Sequence, residues 1–207
     1  MKSASQESIW DSLYKKDENK WKLESNLPKI LKNKNVLEIG VGNGKTLKSI
    51  LLQKPKQVTA IDISSKALNI VNSKFPNVSN LTLSKSSVKN LPFKDSEFDS
   101  IICFFTLNNL LKKERKKAVS EIYRVLKIKG NVIFSDFAEG DYRQKGKIIE
   151  NNTTTLSNGL ILHTFCIKEM NYLFRSFNIK ELKIISSNPI RNKPTLKRKR
   201  IFMIAEK

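Results

Sequence analysis

The chemistry-bearing residues of this chain gather around one glycine-rich turn, Glu38-Ile39-Gly40-Val41-Gly42-Asn43-Gly44, and one acid, Asp62, at the end of the next apolar run. Glycines admit positive φ and let a ligand approach the backbone with no Cβ in the way, and a helix that follows offers free N–H donors. Three ligand classes use such turns. A triphosphate-binding loop needs four residues between its first glycine and Gly-Lys-Thr, whereas only Val41, Gly42 and Asn43 separate Gly40 from Gly44-Lys45-Thr46. A dinucleotide fingerprint wants its third glycine one position later than Gly44. What remains is acidic-x-Gly-x-Gly-x-Gly, or a turn that only packs a strand on a helix.

The elements that must carry this turn follow from periodicity. Ile9, Trp10, Leu13 and Tyr14 predict an N-terminal helix, and a loop and a second helix ending near Leu31 are expected after it. Asn35 to Ile39 reads as a strand, and Thr46, Leu47, Ile50 and Leu51 resume a helical period after the glycines. Gln57 to Ile63 is a β-branched strand; Ser64 or Ser65 caps a helix through Phe75, and Asp62 itself can be read as a plain N-cap. Further strands are expected at Leu81 to Leu83, Phe98 to Phe105 and Asn131 to Phe137, with a surface helix from Lys112 to Leu126. Ala138 to Leu160 is polar and irregular. A helix from Ile167 to Phe177 and strands at Glu181 to Ser186 and Arg200 to Glu206 complete the chain. Strands alternating with helices imply a mainly parallel sheet covered on both faces, whose ligands sit at the carboxyl ends of the strands.

Composition narrows the classes. The 207 residues carry 39 Lys and Arg against 19 Asp and Glu, a net charge of +20. Such an excess favours polyanions, although lysine is spread through the whole chain and only local clusters are informative. No apolar run approaches the roughly 18 residues that span a bilayer, and the N-terminus lacks the order of a signal peptide, so a cytoplasmic protein without membrane partners is expected. Cys103 and Cys166 stand in apolar contexts with a lone histidine, His163, which predicts neither a disulfide scaffold nor a metal site. His163 is read as a half-buried structural group.

The glycine pattern resembles motif I of class I S-adenosylmethionine-dependent methyltransferases. Ser86-Ser87-Val88-Lys89-Asn90-Leu91-Pro92-Phe93 is similar to the family's Gly-Asp-Ala-x-x-Leu-Pro-Phe segment, and Phe105-Thr106-Leu107-Asn108-Asn109-Leu110 to the segment that ends its fourth strand. Glu121 to Lys127 and Gly130 match the helix and turn before strand five, with Ile128-Lys129 in place of Pro-Gly. The likeness covers residues 35 to 137 and is nearest to the methyltransferase type 11 group. It implies a Rossmann-like, doubly wound α/β fold with a mainly parallel seven-stranded sheet and an antiparallel last strand. One domain is expected: a helical lid at 1–31, a cofactor-binding core at 35–137, and a substrate-side and C-terminal sheet region at 138–207.

The resemblance further implies S-adenosyl-L-methionine as cofactor and methyl transfer by in-line displacement. Asp62, 18 residues after Gly44, stands where the family places the acid that accepts the ribose hydroxyls. Gly40, Gly42, Gly44, Ile63, Ser87, Val88 and Asn108 complete the implied cofactor contacts, with Ser87 replacing the acid that meets the adenine. Glu38 orders the turn or reaches the methionine ammonium through water, unless it is a structural acid at the helix N-terminus. Around the methyl group the candidates are Trp10, Tyr14, Asn108, Asn109 and Asp136; Trp10 and Tyr14 read equally as lid aromatics or as amphipathic packing. Because the last strand runs antiparallel, the loop entering it shares the cofactor's edge, and Arg191 to Arg200 holds six cations and no acid. Lys197, Arg198, Lys199 and Arg200 are therefore the candidate substrate-binding residues, or else a solvated hairpin. RNA, transfer RNA among it, is the favoured acceptor. A small-molecule methyltransferase and a non-catalytic nucleic-acid-binding protein on the same fold stand as the alternatives.

Overall fold

The computed structural model describes residues 5–16, 27–188 and 196–207. In chain order the elements are α1 (Gln6–Lys16), β1 (Asn35–Ile39), α2 (Lys45–Leu51), β2 (Gln57–Asp62), α3 (Ser65–Lys74), β3 (Leu81–Lys85), β4 (Phe98–Phe104), α4 (Lys112–Val125) and β5 (Leu126–Phe137). There follow β6 (Lys147–Glu150), β7 (Thr153–Thr155), β8 (Ile161–His163), α5 (Ile167–Leu173), β9 (Asn178–Ser187) and β10 (Arg198–Glu206).

Seven strands form one sheet in the order β3-β2-β1-β4-β5-β10-β9. All neighbours are parallel except β10, which runs antiparallel to both β5 and β9. The central strands are apolar on both faces because both are covered. Val36, Ile102 and Ile133 pack with Leu47 and Ile50 of α2 and Val71 of α3, while Leu37, Ile101 and Phe134 pack with Ile122 of α4 and Met170 of α5. The crossover reverses direction between β1 and β4, and a crevice opens there at the strands' carboxyl ends. The fold is the doubly wound α/β arrangement expected from the sequence.

Some expectations need correction. Of the second helix expected up to Leu31, residues 17–26 lie outside the described residues, and residues 27–34 are not helical. Pro28 interrupts a helical ladder there, and Asn33 turns the chain at φ 58° so that Leu31 is buried under α2. β5 starts directly after α4, at Leu126, and bulges at Lys127–Gly130 before pairing Asn131 with Ser100; Lys129, at φ 62°, donates its N–H to the carbonyl of Lys207. α5 stops at Leu173, four residues short of the expected end.

The stretch read as irregular contains a separate three-stranded antiparallel sheet, β6-β7-β8. Its strands are too short for a period-two signal, and Thr153 and Thr154 are buried despite their hydroxyls. The sheet is braced by Arg115 on α4, whose side chain is 2% exposed. Arg115 Nη1 donates to the carbonyl of Leu110 (2.6 Å), and its guanidinium lies 3.3 Å from Glu169 and 3.8 Å from Glu150. Glu169 continues to His163 Nε2 (2.8 Å), whose Nδ1 meets the Thr153 hydroxyl (2.8 Å). Glu150 also accepts from the N–H of Lys112 at the start of α4. His163 is thus a buried strut between the small sheet and α5, with its ring edge-on to Phe165.

Removing one partner from a buried ion network leaves the others uncompensated. Arg115→Met is expected to destabilise the fold by about 3–5 kcal/mol, measured as a shift in urea unfolding. A change below about 1 kcal/mol would mean that β6-β7-β8 does not depend on this cation.

Candidate functional site

The glycine turn sits at the crest between β1 and β4. Gly40 and Val41 both donate to the carbonyl of Ile61, pinning the turn to the end of β2. Gly40 has φ 74°, and a Cβ there would collide with the Thr106 hydroxyl, which itself donates to the carbonyl of Ile39 (3.0 Å). Gly42 has φ 56°, and a Cβ would stand 2.8 Å from the Tyr14 hydroxyl. Positive φ and close approach coincide at both positions, so no other residue fits without strain. Gly44 is the residue before α2 and gives that helix no side-chain cap.

Asp62 is 8% exposed and faces this turn. Its Oδ2 accepts from the N–H of Gly42 and its Oδ1 from the N–H of Ser64, each at 2.9 Å. Burial raises its carboxyl above the usual range, and the N–H groups of Ser64, Gly42 and Ile63 oppose that rise. The side-chain cap of α3 is Ser64, whose Oγ accepts from Ala67 at 3.1 Å, so the reading of Asp62 as that cap is corrected. Glu38, in the middle of the sheet between Ala60 and Ile102, is 2% exposed. Burial, and then the charge of Asp62, push its carboxyl well above the ordinary range, and its Oε2 is buried without a hydrogen-bond partner among the described residues.

A cavity of about 410 Å³ opens beside these groups. Gly40, Asp62, Ile63, Ser87 and Val88 of the expected contacts line it, together with Phe105, Thr106 and Asn109. Val88 is buried, and the Ser87 Oγ accepts from the N–H of Lys89 (3.3 Å). Glu38, Gly42, Gly44 and Asn108 do not line the cavity; they support its wall from behind. Thr106 was named only as part of a segment, because its role is to meet Gly40 from the neighbouring strand. Phe105 was named only as part of a segment, yet it holds φ 53°, a strained conformation for an aromatic residue, and turns its ring onto Phe137 (5.1 Å).

α1 covers the cavity. Trp10 and Tyr14 both line it, with rings stacked at 5.7 Å. Burial and the nearby Asp62 push the Tyr14 hydroxyl up, so it keeps its proton and remains a donor. Asp11 accepts from the Ser64 hydroxyl, Glu7 pairs with Lys85 (2.7 Å), and Gln6 donates to the carbonyl of Gly159 (3.0 Å). The lid is therefore tied to α3, to β3 and to the loop before β8.

Other sequence-predicted residues lie elsewhere. Asp136 is fully buried and does not reach the cavity; its Oδ2 accepts from the N–H of Asn108 (3.0 Å) and its Oδ1 from that of Phe137 (2.9 Å). Asn108 gives its backbone N–H to this contact and does not line the cavity, whereas Asn109 does. In the basic segment, 191–195 lie outside the described residues. Lys197 is exposed and its carbonyl accepts from Tyr142; Lys199 donates its N–H to Asp141 (2.8 Å) and its side chain crosses Gly140. Arg198 and Arg200 are half-buried, and none of the four lines the cavity. Cys103 is buried in the core, which pushes its thiol up, and among the described residues no group of His, Cys, Asp and Glu is arranged to hold a metal. Nor is any described helix long and apolar enough to cross a membrane.

Comparison with known proteins follows the same outline. Residues 37–134 match the family described as a methyltransferase domain. A tRNA N(3)-methylcytidine methyltransferase of Schizosaccharomyces pombe is 26% identical over 222 residues, covering 95% of this chain and 71% of that protein. A ubiquinone/menaquinone biosynthesis C-methyltransferase of Wigglesworthia glossinidia brevipalpis is 27% identical over 172 residues, covering 78% of this chain and 64% of the relative. The chain spans between 36% and 71% of the length of such curated relatives. The crystal structure of an S-adenosylmethionine-dependent methyltransferase from Methanosarcina mazei superposes with a TM-score of 0.75 at 22% identity, covering 89% of this chain and 99% of the other.

The buried acid behind the cavity gives a pH prediction. Burial pushes Asp136 up to about 8, against the N–H groups of Phe137 and Asn108 and the charges of Arg143 and Arg115. The folded state therefore keeps a proton that the unfolded chain releases near 3.8, and the associated stability is present below that value and lost as pH rises to about 8. Melting temperature should fall across this window in the wild type, and Asp136→Asn, which mimics the protonated acid, should flatten the profile. Parallel profiles would mean that Asp136 is ionised in the fold.

Proposed function

We propose that this chain, whose residues 37–134 match the methyltransferase domain family, binds S-adenosyl-L-methionine in the crest cavity and transfers its methyl group to a nucleophile. The observation that carries the reading is a lidded cavity at the switch point of the sheet, where the glycine turn meets the buried carboxyl of Asp62. Asp62 offers acceptor lone pairs where a sugar edge can donate, while Glu38 stands behind the cavity wall. Val88 and Ile63 supply apolar cover for a base, and Ser87 replaces a carboxylate with a weaker acceptor.

The cofactor supplies a methyl group already activated on a sulfonium, with displacement at carbon as its chemistry. The chain's own task is then alignment and dehydration. α1 closes the cavity from above, Tyr14 holds a protonated hydroxyl against the glycine turn, and Thr106 fixes the distance between β1 and β4. Asn109 lines the cavity with its amide nitrogen turned to the carbonyls of Phe105 and Thr106. Asp136, sealed behind Asn108, takes no proton from the cavity. No side-chain base is required of this site.

RNA is the acceptor this reading favours. The net charge of +20 supports it, and so does a relative that methylates transfer RNA. A small-molecule acceptor is the second reading, favoured by the tight lid and by the likeness to a quinone C-methyltransferase. Labelled methyl transfer into fractionated extract, scored separately for RNA, protein and small molecules, decides between them.

For the donor site, Asp62→Ala is expected to weaken binding of S-adenosylhomocysteine by more than about tenfold in calorimetry, with the circular dichroism spectrum unchanged. Unaltered affinity would remove Asp62 from the sugar contact.

A further inference from the structure

β10 enters the sheet at the edge where the parallel strands end, so its first residues stand at the crest beside Phe137. Alternate residues of a strand share a face. Phe202 and Ile204 pack in the cluster that holds Leu47 and Ile50 of α2, which assigns Arg200 and Arg198 to that same face, nearer the crest. Lys45 begins α2, two residues before Leu47 and directly after Gly44. The two elements thus bring three cations from distant parts of the chain together.

The three are half-buried, and among the described residues none of them makes an ion pair. Other partly buried cations of this chain are compensated: Arg143 by Asp141, Arg115 by Glu169, Lys127 by Asp99. Burial lowers the Lys45 ammonium, and Arg198 and Arg200 lower it further; Arg200 is lowered by burial and by Arg198. The cations therefore feel one another, and no acid offsets them in either case. Repulsion of this kind is relieved by a bound anion.

We infer that Lys45, Arg198 and Arg200 form a seat for a phosphate group of the methyl acceptor, next to the donor turn. Two guanidinium forks and one ammonium suit a tetrahedral group with several oxygens better than a planar carboxylate. The acceptor role rests on the methyl-transfer reading of the cavity; the seat itself rests on the three cations. A phosphodiester of RNA and a phosphorylated small molecule share this chemistry, and a test must part them.

Two double variants remove equal charge from opposite faces: Arg198→Gln with Arg200→Gln, and, as control, Lys113→Gln with Lys117→Gln on the exposed side of α4. Binding of a fluorescent 12-nucleotide RNA is followed by anisotropy across a salt series, with inorganic pyrophosphate as competitor. The arginine pair should lose about tenfold or more in affinity, and the slope of log affinity against log salt should shrink by about 1.4, that is about 0.7 for each phosphate of a single strand that is no longer neutralised. The control should change less than twofold, and Lys45→Gln should weaken binding in the same direction as the arginine pair. Loss of pyrophosphate binding alone, with RNA affinity unchanged, supports the seat with a small phosphorylated acceptor. Equal losses in the two double variants, or no loss of either probe, overturn the seat. Failure of the wild type to take up S-adenosylhomocysteine in calorimetry overturns the acceptor role, whatever the RNA result.

Discussion

The hydrogen bond from the Gly42 N–H to Asp62 is the contact on which the site depends. It joins the loop after β1 to the end of β2, and it places a carboxylate in a position that water reaches poorly. Burial raises that carboxyl above its usual range, and the surrounding N–H groups oppose the rise. The same arrangement forbids a side chain at Gly42, because the space a Cβ would take belongs to Tyr14. Turn, acid and lid are therefore one unit, and a change in any of them is felt by the other two.

A second layer holds that unit in place without touching the cavity floor. Thr106 hydrogen-bonds across to β1, and Asp136 grips the N–H of Asn108 from behind. On the far side, Arg115 links α4, α5 and the small sheet through Glu169, Glu150 and the strut of His163. The loop before β8 in turn receives Gln6 of the lid. Rigid support is the usual physical requirement where chemistry needs alignment rather than a strong acid or base. The single histidine serves that support.

Charge in this chain has two meanings. Most of the described lysines lie exposed on helices, loops and strands, where each is well solvated. Where cations approach the core they meet acids, as Arg124 meets Glu121 and Asp95, and Lys89 meets Glu114 at the rim of the cavity. Lys45, Arg198 and Arg200 depart from that rule at the crest beside the glycine turn. Net charge describes the whole surface, but the local absence of acids is what distinguishes this place.

The sequence by itself determined the alternation of strands and helices, the glycine turn, and the acid at the end of β2, because these are local patterns of period, φ and spacing. Asn35–Ile39 emerged as written, and β2, β4 and α4 lie within a residue or so of their expected ends. Residues facing the cavity were legible where a motif fixed them, as with Gly40, Asp62 and Val88. What only the tertiary structure decided are contacts between residues far apart along the chain. Thr106 matters because Gly40 lies beneath it, Asn109 rather than Asn108 faces the cavity, and Asp136 is sealed from it. The small sheet was hidden because three- and four-residue strands carry too little periodicity, and Lys45 joined the arginines of β10 only when the antiparallel strand brought them to one edge. Periodicity encodes which face a residue takes; which partner it meets there depends on how strands are ordered in the sheet, and no local pattern records that.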